Sequence, residues 1–200
     1  MNLRLRRSVL YLPGSNARAL EKARGLAADG LIFDLEDAVA PEAKARARQQ
    51  VVQALGAGGY GQRERIIRVN GLDTPWGNDD VAAVASTDAD AVLFPKVENA
   101  DQVADAVAAL GKAGAPEAMA LWLMIETPRG VLDVDSIAGS HRRLDCLVMG
   151  TSDLAKETRI PHTPDRRGLV AALSHCVYAA RAWGLGILDG VHLALDDAEG

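Results

Sequence analysis

Four segments of this 200-residue chain each close an apolar run with residues able to do chemistry: Leu35-Glu36-Asp37, Arg68-Val69-Asn70, Ile125-Glu126-Thr127 and Gly150-Thr151-Ser152-Asp153. An ionised carboxylate is costly to desolvate without a partner. Strand after strand ending in Asp or Glu is therefore most economically read as a set of carboxylates gathered round a bound cation. Mg²⁺ is commonly held by two carboxylates, with water and substrate filling its other positions. Glu126 and Asp153, expected on adjacent strands roughly 5 Å apart, are the candidate pair. Glu36, Asp37, Arg68, Asn70, Lys96 and Glu98 are expected at the same edge.

Each of these residues also has a local alternative. Asp153 could N-cap the segment 154–157, and Glu126 ahead of Thr127-Pro128 could simply charge a helix N-terminus. Arg68 could be a structural partner for either acid. Glu98-Asn99 and Asp79-Asp80 read as helix caps. The four histidines show no metal-ligand spacing. What favours a site is the joint placement of the acids and the arginine.

That placement depends on the elements. Short apolar runs are expected as strands at residues 8–12, 30–35, 65–69, 91–94, 121–125, 144–149 and from 186 to 188. Helical spacing lies between them: a helix capped by Ser15 or Asn16, one opened by Pro41 and running through Leu55, and one starting near residues 76–79. Others are expected at 99–111, near 130–138, and as one long helix over 165–183. Runs apolar at every position, rather than at alternate ones, fit strands covered by helices on both faces. Strand–helix repetition implies a parallel sheet with right-handed crossovers. Seven units suggest a single-domain (β/α)8 TIM barrel, with the chain ending after strand seven and the C-terminal unit missing. Pro13-Gly14-Ser15 is not the GxGxxG that a dinucleotide fold would need after its first strand.

Composition bounds the function. The chain is 48 % apolar with 4 % aromatics and has a net charge of −5. That balance argues against a nucleic-acid surface. No apolar stretch at the N-terminus is long enough for a signal sequence or a membrane span. Cys146 and Cys176 lie in apolar runs without metal spacing and read as buried thiols. A cytoplasmic protein without a membrane partner is expected.

The motifs also carry a resemblance. Arg7-Ser8-Val9-Leu10-Tyr11-Leu12-Pro13-Gly14-Ser15, Asp34-Leu35-Glu36-Asp37-Ala38-Val39-Ala40-Pro41, Arg68-Val69-Asn70-Gly71 and Pro95-Lys96-Val97-Glu98 resemble the citrate-lyase beta-subunit family. So do Ile125-Glu126-Thr127 and Gly150-Thr151-Ser152-Asp153-Leu154. This is the HpcH/HpaI aldolase superfamily, which includes malyl-CoA and citramalyl-CoA lyases. The resemblance implies a Mg²⁺-dependent barrel, assembled as a homotrimer or larger homo-oligomer such as a hexamer. It implies Glu126 and Asp153 as metal ligands and Arg68 as the catalytic residue gripping a substrate oxygen. Glu36 and Asp37 become the catalytic acidic pair beside the metal. Lys22 would meet CoA phosphates, and Asn70 is grouped with it as substrate-binding. Asn16 stands where some lyases carry an arginine, with Arg18 nearby. The acidic stretch Leu195-Asp196-Asp197-Ala198-Glu199-Gly200 matches the loop after strand seven.

The implied activity is cleavage of a 3-hydroxyacyl-CoA of citryl-, citramalyl- or malyl-CoA type to acetyl-CoA and a 2-keto acid. A related acyl-CoA thioesterase or aldolase, or a carrier-dependent subunit of a citrate lyase complex, are the alternatives.

Overall fold

Among the described residues, seven short apolar segments form seven parallel strands, hydrogen-bonded in sequence order. They are β1 (Val9–Pro13), β2 (Gly30–Asp34), β3 (Glu64–Arg68), β4 (Ala91–Phe94), β5 (Ala120–Ile125), β6 (Leu144–Met149) and β7 (Gly186–Leu188). The computed structural model describes residues 4–194 and residue 197. The acidic stretch at 195–200 therefore lies outside the described residues, apart from Asp197. Between the strands run α1 (Ala17–Lys22), α2 (Lys44–Ala57), α3 (Gly77–Ala85), α4 (Ala100–Lys112), α5 (Pro128–Leu132), α6 (Val134–Ala138), α7 (Thr151–Thr158) and α8 (Val170–Ala182).

The strands look uniformly apolar because both faces are covered, but the two faces differ. Leu31, Phe33, Ile67, Val92, Leu121, Leu123 and Leu147 point outward into the layer shared with the helices. Ile32, Ile66, Leu93, Trp122, Met124, Cys146 and Val148 point inward and pack on one another. On the inward face the middle positions are apolar, while charged side chains sit at the ends. Glu64 opens β3, Asp34 and Arg68 close β2 and β3, and Glu126 follows β5.

The sheet is rolled into an open barrel of the (β/α)8 kind, with β1 and β7 as its edges among the described residues. One side chain demonstrates the curvature. Arg6 donates from Nε to Glu64 Oε2 at 2.6 Å and from Nη2 to Asp145 Oδ2 at 2.6 Å, and its guanidinium lies 4.6 Å from the centre of the Trp122 ring. Those partners belong to β3, β6 and β5. In a flat sheet β3 and β6 would stand about 14 Å apart at the ordinary strand spacing. Only a curled sheet lets one guanidinium reach both, and Arg6 forms the floor at the strands' N-terminal ends.

Three expectations need correction. The long helix over 165–183 begins only at Val170. Ahead of it, Asp165 Oδ1 accepts from the Thr163 hydroxyl (2.6 Å) and from the Arg167 N–H (3.3 Å). Arg166 is left-handed, with φ 51°. Such a side-chain-closed turn competes with helix. The helix near 130–138 is two short ones, broken at Asp133. The segment after β6 is a full helix, α7, longer than the capped segment 154–157 that stands as the alternative reading of Asp153. Both cysteines are buried and free. No helix among the described residues is long and apolar enough to cross a membrane.

Removing Arg6 leaves the buried Glu64 carboxylate with only the more exposed Arg4, 3.7 Å away. Arg6→Ala should lower the unfolding free energy by about 3 kcal/mol in a urea titration, the usual cost of breaking a buried ion pair from one side.

Candidate active site

At the strands' C-terminal ends the inward-facing charges meet. Asp34 and Arg68 are register partners on β2 and β3, so their side chains emerge side by side on the same face. Arg68 Nε and Nη2 donate to the two Asp34 oxygens, each at 2.6 Å. Asp34 also accepts the Glu36 N–H at 2.9 Å and the Ala38 N–H at 3.0 Å. One carboxylate thus shapes the turn after β2 and clamps the arginine. The remaining nitrogen, Nη1, lies 3.1 Å from Glu36 Oε2 and 3.6 Å from Asp37 Oδ2. Below it the Tyr11 ring centre stands 5.2 Å from the guanidinium carbon. Burial alone would lower the Arg68 pKa, but the Asp34 hydrogen bonds and the charges of Asp34 and Glu36 hold it above its ordinary value.

Glu126, 2 % exposed, projects inward just past β5. Burial is the main reason its pKa rises from 4.5 to about 7; the Lys96 N–H, donating to Oε1 at 2.8 Å, opposes the rise. Gly150, at the end of β6, makes room for it. A Cβ at position 150 would collide with the Glu126 Cβ and lie 2.6 Å from its Oε2. Gly150 then caps α7 with no side-chain hydrogen bond, and α7 carries Asp153 in its first turn. Asp153 is therefore not the N-cap, and it stands on a helix rather than on a strand end. Glu126 and Asp153 line one cavity of about 350 Å³ together with Tyr11, Asp34, Asp37 and Arg68.

Lys96, in the loop after β4, lines a neighbouring cavity and stands 3.9 Å from Asp37 Oδ1 and Asp153 Oδ2 of this one. Its Nζ donates to Glu36 Oε1 at 2.8 Å. Burial would lower the lysine pKa, but Glu36 carries it up to about 12. Burial pushes the Glu36 carboxyl up and the Asp37 charge adds to that, against Lys96 and Arg68. Glu36 and Lys96 line a second cavity of about 310 Å³, beside Asn70 and Phe94.

Among the described residues no group of three or more His, Cys, Asp or Glu side chains could hold a metal by itself. A two-carboxylate site suits the chemistry of the donors. Asp34 is matched by Arg68, which leaves Glu36, Asp37, Glu126 and Asp153 facing Lys96 and one spare arginine nitrogen. That surplus of hard oxygen donors suits Mg²⁺ completed by water and substrate. Glu126 and Asp153 are the pair that could hold it.

A family model described as HpcH/HpaI aldolase/citrate lyase matches residues 7–200. The chain belongs to the HpcH/HpaI aldolase/citrate lyase family. A (3S)-malyl-CoA thioesterase of Cereibacter sphaeroides (strain KD131 / KCTC 12085) is 54 % identical over 97 % of this chain, which spans 66 % of that relative. The citrate lyase subunit beta of Leuconostoc mesenteroides subsp. cremoris is 34 % identical over 100 % of the chain and 68 % of its own length. A crystal structure of CitE from Mycobacterium tuberculosis, in complex with magnesium, acetoacetate and coenzyme A, superposes with a TM-score of 0.79. That structure is 29 % identical, over 98 % of this chain and 70 % of the other.

Within this HpcH/HpaI fold, Arg68, Glu36, Asp37, Glu126 and Asp153 gather at the mouth. Two other sequence candidates are placed differently. Lys22 is exposed in the last turn of α1 and lines neither cavity. Asn70 is buried, and its Nδ2 donates to the Leu35 carbonyl (2.9 Å) and to Asp80 Oδ2 (2.5 Å). Asp80, read from sequence as a cap, is fully buried and also accepts from Arg48 Nε at 2.7 Å. Asn16 caps α1, accepting from the Ala19 N–H, and Asn99 caps α4. Sequence reasoning assigned no role to Asp34, which lies inside an apolar run. Its inward parity with Ile32, and its register with Arg68, were the available signals.

The Glu126 carboxyl should make stability pH-dependent. Between pH 4.5 and 7 the folded state holds a proton that the unfolded chain releases, so stability falls as pH rises through that window and then levels. With divalent ions chelated, Glu126→Gln should be about 2–3 kcal/mol more stable than wild type at pH 8 and equal to it at pH 4, read by denaturant titration.

Proposed function

We propose that this chain belongs to a Mg²⁺-dependent enzyme acting on a 3-hydroxyacyl-CoA of malyl-CoA type, breaking the bond between the hydroxyl-bearing carbon and the acyl α-carbon. The observation that carries this reading is the Arg68 guanidinium, locked bidentately by Asp34 at a cavity that also holds Glu126 and Asp153. The named ligands of the Mycobacterium tuberculosis relative, magnesium, a keto acid and coenzyme A, support the cofactor and the substrate class.

Glu126 and Asp153 would hold the metal. When bound, the ion supplies a Lewis acid that orients the substrate carboxylate and its adjacent hydroxyl. Arg68 needs no reorganisation to act, because Asp34 already fixes its plane. Its Nη1, the nitrogen Asp34 does not hold, would exchange its Glu36 contact for the substrate oxygen that gains negative charge as the bond breaks, a stabilisation worth about 3 kcal/mol for a well-aimed group. Asp37 lines the same cavity and is half-exposed, whereas Glu36 is engaged by Lys96 and lines the neighbouring one. Asp37 is thus the better placed acceptor for the hydroxyl proton. As that proton leaves, the carbonyl of the keto acid forms, and the bonding electron pair passes to the thioester enolate. A proton delivered to that enolate completes acetyl-CoA.

Hydrolysis of the thioester is the second reading, favoured by the 54 % identity to a relative named as a (3S)-malyl-CoA thioesterase. There the same residues would hold the substrate while water attacks the thioester carbon. A homo-oligomer acting on free CoA thioesters fits either reading.

Product analysis separates the two. Incubation with malyl-CoA and Mg²⁺, followed by mass spectrometry, should show acetyl-CoA and glyoxylate for carbon–carbon cleavage. Free CoA and malate, without acetyl-CoA, would establish the thioesterase instead. Arg68→Lys keeps the charge but loses the two-pronged grip of Asp34. It should lower kcat about 100-fold with less effect on KM, measured by steady-state turnover.

A further inference from the structure

After β4 the chain passes through Pro95-Lys96-Val97, and Lys96 takes a left-handed backbone conformation with φ 52°. That conformation is uncommon outside glycine and strained for a residue that carries a Cβ. Two hydrogen bonds hold it there. The Lys96 N–H donates to Glu126 Oε1 at 2.8 Å, and Nζ donates to Glu36 Oε1 at 2.8 Å. The ammonium also stands 3.9 Å from Asp37 Oδ1 and 3.9 Å from Asp153 Oδ2. A single residue therefore reaches both carboxylates of the candidate metal pair, one through its peptide and the other through its charge.

We propose that Lys96 sets the divalent-ion affinity of this site: its ammonium competes with the metal for Asp153, while its peptide N–H aims Glu126. The inference rests on the metal reading given above. Like charges sharing a carboxylate weaken each other's hold, and the Lys96 side chain is half-exposed, so its ammonium interacts through partly aqueous surroundings. The two contributions are separable. The ammonium belongs to the side chain, whereas the N–H that orients Glu126 survives any substitution except proline. Lys96 is thus an affinity-tuning residue, holding the metal weakly enough for exchange while keeping one ligand oriented.

The test is Mn²⁺ titration of the full chain at low ionic strength, with free Mn²⁺ read by electron paramagnetic resonance. Lys96→Met keeps the aliphatic stem and removes the charge. It should bind Mn²⁺ about tenfold more tightly than wild type, the order Coulomb's law gives for nearby like charges in a largely aqueous setting. Added salt should narrow the difference. Lys96→Arg, which retains the charge, should stay within about twofold of wild type. Lys96→Gly removes the charge and relaxes the left-handed backbone; it should show the same gain and serves where Lys96→Met does not fold. Equal or weaker Mn²⁺ binding by these neutral variants would overturn the inference. A wild-type chain that takes up no Mn²⁺ would overturn the metal reading itself, so the two failures are distinguishable.

Discussion

Asp34 and Arg68 meet across β2 and β3 with two hydrogen bonds of 2.6 Å, and both are nearly closed to solvent. A pair buried this deeply is stabilising only when its geometry is good and its other lone pairs are filled. Asp34 meets both conditions, since the N–H groups of Glu36 and Ala38 take up its remaining capacity. The turn that carries Glu36 and Asp37 therefore follows from the same carboxylate that holds the arginine. On its other side Lys44 Nζ binds the Leu35 and Glu36 carbonyls at 2.9 and 2.8 Å, and Asn70 binds the Leu35 carbonyl. The acidic turn is fixed from within the barrel and from the helix layer at once.

The two ends of the barrel use arginine for different purposes. At the floor, Arg6 joins Glu64, Asp145 and Trp122, tying β3, β5 and β6 together. At the mouth, Arg68 is anchored by Asp34 and keeps one nitrogen directed toward carboxylates at the cavity. This division, a strand-tying ion pair at the N-terminal rim and clustered acids with an anchored arginine at the C-terminal rim, matches the usual separation of stabilising and functional ends in barrels of this kind. It arises here from inward positions that are charged only at the strand ends, with Ile32, Ile66, Met124 and Val148 separating the two charged layers.

Much of this was legible in the chain. Seven apolar runs gave seven strands within a residue or two, because a strand buried on both faces announces itself by composition alone. The grouping of Glu36, Asp37, Arg68 and Glu126 followed from their place at or just after strand ends, whereas Asp153 joins them from the first turn of α7. What stayed hidden depended on tertiary contacts. Asp34 lies inside an apolar run, and nothing local says that its partner is 34 residues away. Asn70 has the residue type of a ligand contact, yet Asp80, buried by the packing of α3, takes up its amide. The helix expected from residue 165 starts late because Asp165 spends its carboxylate on a turn, a choice that helical spacing does not register.

The bare Cα of Gly150 has one more consequence. It abuts Glu126 on one side and begins α7 on the other, so the placement of two acids 27 positions apart in sequence is tied to one backbone atom. Any sliding or tilting of α7 must alter the spacing of both at once. A change in the tilt of that helix would thereby alter the separation of the two acids through geometry alone.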